Sequence, residues 1–128
     1  MSGMASDAEK LALLERFADA WNAHDADALM ACMAEDCAFH ASGGRDACGR
    51  RYAGRDEVRA GYAAIFEAFP DARWNEPRHM VAGNRGLSEW RFTGTDKNGN
   101  SVEVDGCDLF EFDGGLISLK DSYRKSRT

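Results

Sequence analysis

From Leu87 to Tyr123 the chain reads LSEWRFTGTDKNGNSVEVDGCDLFEFDGGLISLKDSY, and this stretch decides the fold. Ser88–Thr93, Ser101–Phe112 and Leu116–Tyr123 carry the alternation of strands. They are separated by Asn98-Gly99 and Asp113-Gly114-Gly115, residues that accept the positive φ a hairpin turn demands. The stretch is therefore a three-strand meander. Asp108 lies in its middle strand with the same parity as Phe110 and Phe112, so a carboxylate points to the side that carries the aromatics. Burying a charge there is expensive without a partner, which makes Asp108 the first candidate for chemistry. A structural acid satisfied by backbone donors or a lysine is the competing reading.

Upstream the pattern changes from strand to helix. Ser6-x-x-Glu9 has capping-box spacing, and Leu11, Leu14, Phe17, Ala18 and Trp21 follow at helical intervals, predicting a helix to about Ala23. Asp25 caps a short second helix with Leu29, Met30, Cys32 and Met33. Asp36–Ala41 reads as a short strand with Phe39 on one side and His40 on the other. Ser42–Gly54, with four glycines and no periodicity, reads as a loop. Asp56 and Glu57 open a third helix whose stripe is Val58, Tyr62, Ile65, Phe66 and Phe69, and Pro70 ends it. Arg73–Ala82 is a strand turned at Gly83-Asn84 into the meander. Helices first and strands afterwards define an α+β domain with the helices on one sheet face.

The 128 residues make one domain, 1–128, with residues 1–6 expected to be disordered. A net charge of −6 without a basic run argues against nucleic acid and anionic membrane surfaces as partners. No apolar run approaches membrane-spanning length and Met1–Lys10 lacks a signal-peptide core, so a cytoplasmic location is expected. Cys32, Cys37, Cys48 and Cys107 contain no Cys-x-x-Cys pair and read as reduced thiols. Cys32, Cys37, His40 and Cys48 make a loose thiolate–imidazole cluster that could in principle hold zinc, but structural sites usually use tighter ligand pairs, and no metal or cofactor is expected.

Five segments carry a resemblance to a known family: Phe17-Ala-Asp-Ala-Trp-Asn-Ala-His-Asp-Ala-Asp-Ala-Leu, Met33-Ala-Glu-Asp-Cys-Ala-Phe, Gly54-Arg-Asp-Glu-Val-Arg, Phe69-Pro-Asp-Ala and Asp108-Leu-Phe-Glu-Phe-Asp-Gly-Gly-Leu-Ile. In this order the chain resembles the SnoaL-like branch of the nuclear transport factor 2-like superfamily. The resemblance implies a cone: three helices closing over a strongly curved, mainly antiparallel mixed sheet, with a pocket between them and a homodimer formed through the outer sheet face. It fixes activity poorly, because the fold hosts enzymes, carriers and interaction domains.

Three branches of that superfamily give residue tests. Ketosteroid isomerases use a carboxylate base, a tyrosine and a protonated aspartic acid. The resemblance places these on Ala41, Phe17 and Asp108, so only one of the three groups survives and isomerisation by that route is not expected. SnoaL-like aldol cyclases use an inward acid/base aspartate, matched by Asp108, but their Gly-Thr-His turn is here Gly94-Thr95-Asp96. Limonene epoxide hydrolases use an Arg-x-Asp pair, matched only by Leu87-Ser88-Glu89. Glu89 with Asp121 leaves a two-carboxylate variant of that chemistry.

The partner of Asp108 depends on the register of the last strand. Apolar parity turns Ile117, Leu119, Asp121 and Tyr123 to one face, whereas the family's Gly-x-Ile anchor turns Lys120 and Ser122 inward. We favour Lys120 inward, paired with Asp108. Phe17, Trp21, Phe39, Tyr62, Phe66, Trp90, Phe110 and Ser122 are expected to contact a small hydrophobic molecule, the same stripes also serving as core. His40 is expected away from the pocket. His79 is read first as a hydrogen-bonded structural residue, and Arg50, Arg51 and Arg55 as loop solvation. The expected function is cofactor-free acid/base chemistry on a small hydrophobic carbonyl compound by Asp108 and Lys120. The alternative is a non-catalytic binding or dimeric interaction domain.

Overall fold

A computed structural model describes residues 5–127. Helix α1 spans Asp7–Asn22, and its capping box is formed: Ser6 Oγ accepts from the Glu9 amide and Glu9 Oε1 from the Ser6 amide, each at 3.1 Å. These two bonds satisfy orphan amides of the first turn. Of the segment 1–6 expected to be disordered, residues 1–4 lie outside the described residues. Helix α2, Ala26–Ala31, starts at Asp25, whose carboxylate accepts from the Ala28 amide.

Strand β1 (Met33–His40) begins three residues before the expected strand. The segment read as a loop contains a short strand, β2 (Arg51–Ala53), paired antiparallel to β1 with Tyr52 opposite Phe39. Their rings stack at 5.5 Å, a single cross-strand contact too short to produce a periodic signal in sequence. Helix α3 (Arg55–Ala68) follows Gly54, whose φ of +85° suits glycine at the helix entrance. Strands β3 (Arg73–Ala82), β4 (Arg85–Thr95), β5 (Ser101–Asp113) and β6 (Leu116–Arg124) complete one sheet in the order β2-β1-β6-β5-β4-β3. Only β1 and β6 run parallel. The sheet curls without closing, and α1 lies against β3 while α3 lies against β1, giving the α+β cone.

Two bulges set which residues face the cone interior. Between β5 and β6, Glu111 pairs with Leu119 but its neighbour Phe112 pairs with Ile117, so Ser118 is an extra residue on β6. The parity of β6 flips there: Ile117 is buried in the core, and beyond the bulge Lys120, Ser122 and Arg124 take the inner side. In β3, Asn75 pairs with Arg91 and Arg78 with Glu89, with Glu76 at φ +52° inside the irregularity. Trp74 before it and His79 after it consequently both face inward, His79 opposite Ser88. Leu13, Leu14, Phe17, Phe92, Phe110 and Ile117 are almost fully buried between helices and sheet. Each such side chain contributes about 1.5–3 kcal/mol by leaving water.

Candidate functional site

Asp108 in β5 and Lys120 in β6 are 5 % and 4 % exposed, and Lys120 Nζ lies 3.0 Å from Asp108 Oδ1. Ser122 ties the pair together. Its Oγ accepts from Lys120 Nζ at 2.6 Å and donates to Asp108 Oδ1 at 2.6 Å. The indole of Trp90 donates to Asp108 Oδ2 at 3.0 Å, so both carboxylate oxygens are engaged. Around the ammonium stand the rings of Phe39, Trp21 and Tyr62, with centroids at 4.7, 5.0 and 5.9 Å. Aromatic faces and one carboxylate thus replace the water that Lys120 lost on burial. Of the two registers left open for the last strand, the structure has Lys120 and Ser122 inside.

A cavity of about 190 Å³ opens beside this cluster, between α3 and the inner sheet face. Lys120, Ser122 and Arg124 from β6 line one side. Phe39, Trp74 and Trp90 from the sheet and Ile65 and Phe69 from the end of α3 supply apolar wall. Among the described residues no Asp or Glu lines it. Asp108 meets the cavity wall through Ser122, Lys120 and Trp90, which contact it and line the cavity.

Of the residues expected to contact a ligand, Phe39, Trp90, Lys120 and Ser122 line this cavity. Phe17, Trp21, Tyr62, Phe66 and Phe110 instead pack on one another, with Phe17–Phe110 at 5.8 Å, Trp21–Tyr62 at 4.8 Å and Trp21–Phe66 at 5.3 Å. Trp21 and Tyr62 reach the site by caging Lys120. Burial and the charge of Asp108 hold the Tyr62 phenol well above its ordinary range, and its hydroxyl rests 3.4 Å from Met33 Sδ. Sequence reasoning missed Trp74, Phe69 and Arg124. Arg124 was accessible in principle, by counting two and four residues on from Ser122 and Lys120.

The remaining candidates lie elsewhere. Glu89 is ion-paired to Arg78 on the outer face. Asp121 lies 3.8 Å from His40 and accepts from the Tyr123 hydroxyl, so the two carboxylates of an epoxide-hydrolase arrangement do not meet in the cavity. The cause is the β6 bulge, which turns Asp121 outward. His40 is near Arg51 Nη1, at 2.5 Å, on the same outer side. Ala41 lines the cavity without offering a base. His79 Nδ1 is 2.7 Å from Ser88 Oγ, and burial lowers its pKa against the opposing charges of Glu15 and Asp19. Cys32 and Cys37 are buried, Cys48 is exposed, and all four thiols are free. Among the described residues no group of three or more His, Cys, Asp or Glu side chains is arranged to hold a metal ion.

Residues 14–119 match the SnoaL-like domain family, and the chain belongs to it, within the nuclear transport factor 2-like superfamily. A nuclear transport factor 2-like protein of unknown function from Mesorhizobium loti is 30% identical, with a TM-score of 0.75 over 94% of this chain and 93% of that one. A candidate polyketide cyclase from Xanthomonas campestris pv. campestris has a TM-score of 0.81 at 21% identity, covering 91% of this chain and 90% of its own. A nuclear transport factor 2-like protein from Burkholderia xenovorans LB400 has a TM-score of 0.79 at 22% identity, over 96% and 93%. The last two likenesses are of fold. No curated protein matches the chain.

Proposed function

We propose that this domain takes up a small, largely apolar carbonyl compound and moves a proton on it without a cofactor, in a cyclisation, isomerisation or dehydration. The observation that supports it is the Lys120–Ser122–Asp108 chain laid beside an otherwise apolar cavity. A buried ion pair is a poor way to stabilise a fold, since well-packed apolar side chains serve as well or better. Placed where a carbonyl oxygen would sit, an ammonium in a dry, aromatic setting stabilises the developing enolate. Ser122 relays the proton leaving the α-carbon to Asp108, and the same path run backwards returns it to another carbon.

The competing reading is a binding protein without turnover. It is favoured by the engagement of both Asp108 oxygens and by phenylalanine and alanine at the positions matched to the isomerase tyrosine and base. Either reading is compatible with a homodimer through the outer sheet face and with a reducing compartment such as the cytoplasm, given four free thiols. No described helix is long and apolar enough to cross a membrane.

The discriminating experiment is α-proton exchange in D2O, followed by NMR on small ketones first selected for binding. Exchange above the buffer rate, reduced roughly 10²–10⁴-fold in Asp108→Asn, supports proton transfer. Bound ketones whose α-protons exchange no faster than in buffer leave the binding protein.

A further inference from the structure

Four cationic side chains among the described residues are withdrawn at least partly from solvent: Lys10, Arg55, Lys120 and Arg124. Three have acceptors. Lys10 Nζ donates to the Gly83 carbonyl at 2.7 Å. Arg55 donates to the Met33 and Met30 carbonyls at 2.7 and 3.0 Å. Lys120 has Ser122 and Asp108. Arg124 has neither an ion-pair partner nor a side-chain hydrogen bond among the described residues, and it lines the cavity. Its guanidinium lies over the rings of Phe92 and Phe69, 4.7 and 5.6 Å from their centroids, which holds the planar fork while leaving its N–H edges free.

We propose that Arg124 is the anchor for a carboxylate on the molecule that occupies this cavity, so that the ligand is a small aromatic or otherwise flat acid rather than a neutral hydrophobe. The inference rests on the reading that the cavity is a binding site, and it narrows the ligand class. Three observations converge on it. The cavity wall carries two cations and no carboxylate. Asp108 is already matched by Lys120, and Glu89 and Asp105, which share a surface groove with Arg124, are matched by Arg78 and Arg91, so among the described residues Arg124 has no ion-pair partner in a chain whose net charge is −6. Burial without a counter-charge also draws the Arg124 pKa down from its ordinary value, a penalty that an incoming anion removes.

Geometry favours a carboxylate over a phosphate. Arg124 offers a planar two-donor edge suited to a planar acceptor, and α3 lines the cavity with residues from Gly61 onward rather than with its N-terminus. Lys120 and Arg124 project from β6 four residues apart on the same side. A ligand with its acid on Arg124 therefore directs its other end toward Lys120 and Ser122, past the walls formed by Trp74 and Trp90. The volume of about 190 Å³ lies below the usual range of roughly 300–1,000 Å³ for drug-sized ligands, in keeping with a single-ring molecule.

The test compares phenylacetate with its neutral isostere phenylacetamide, by quenching of tryptophan fluorescence and by chemical-shift titration. The wild-type protein is expected to prefer the acid by roughly 10- to 100-fold, the worth of one charge-assisted contact. Arg124→Met, which keeps the stem on Phe69 and Phe92, is expected to abolish that preference, lowering the acid's affinity far more than the amide's. Arg124→Lys is expected to retain part of it. Equal affinities in the wild type, or a preference that survives in Arg124→Met, overturn the anchor while leaving the cavity as a binding site. Failure of both probes to bind overturns the anchor and the cavity reading together.

Discussion

Lys120 and Asp108 face each other at 3.0 Å across β6 and β5, with almost no solvent access to either. Removing one partner leaves the other buried and uncompensated, so Asp108→Asn and Lys120→Met should each lower stability by about 3–5 kcal/mol. The double variant should recover much of that loss, because no lone charge remains, although Ser122 and Trp90 still lose their acceptor. Urea midpoints of the four proteins measure this. Additive losses would mean that the two residues do not act as a pair.

Gly106 holds Trp90 in place. A Cβ built on it would fall 2.5 Å from the Trp90 ring and 2.6 Å from the Tyr123 backbone oxygen, which cannot move without disturbing β6. Gly106→Ala should therefore cost about 1–3 kcal/mol, as overpacking generally does, and push the indole off Asp108 Oδ2. The diagnostic signal is the Trp90 indole N–H resonance, expected to move out of its hydrogen-bonded position. A variant with wild-type stability and an unmoved indole would contradict the tight fit.

The meander, the three helices and their caps were legible because each rests on local rules: alternation, glycine turns, Ser6 and Asp25 at helix starts. Asp108 was legible for the same reason, a charge out of place in an aromatic parity. Its partner was not fixed by local rules. Ser118 adds one residue to β6, and a one-residue change of parity exchanges Asp121 and Tyr123 for Lys120 and Ser122. Nothing in Leu116–Tyr123 alone marks that bulge; only pairing with β5 creates it. The division of aromatics between cavity and core was hidden for a related reason. Phe17, Trp21 and Tyr62 have the right helical phase to face inward, but only the packing of the helices on the sheet decides which rings meet one another and which line the cavity.

The outer face of the sheet leads to a prediction about assembly. Cys107 and Leu109, opposite in parity to Asp108, are partly buried, and Tyr123 exposes half of its surface there. A mixed apolar and charged sheet face of this kind is a candidate self-complementary surface for a two-fold dimer. Light scattering is expected to give twice the 14.1 kDa chain mass at micromolar concentration. Leu109→Lys should shift the protein toward monomer. A wild-type monomer in that range would remove the assembly.

His79 supplies a pH test that is separate from the cavity. The ring is partly buried beside Ser88, and that burial lowers its folded pKa below the ordinary 6.5 even though Glu15 and Asp19 pull the other way. The unfolded chain therefore takes up this proton at higher pH than the folded one. Wherever the unfolded state binds more protons, stability rises with pH. The contribution of His79 is thus complete above the unfolded value, declines as pH falls from 6.5 toward the depressed folded value, and levels off below it. His79→Asn keeps a neutral polar group near Ser88 and cannot titrate. Between about pH 7.5 and about pH 5 the wild type should lose more stability than this variant, so that their denaturation midpoints converge or cross on acidification. Midpoints that stay a constant distance apart across that interval would show that His79 titrates alike in the folded and unfolded chains, and that its burial does not favour the neutral ring.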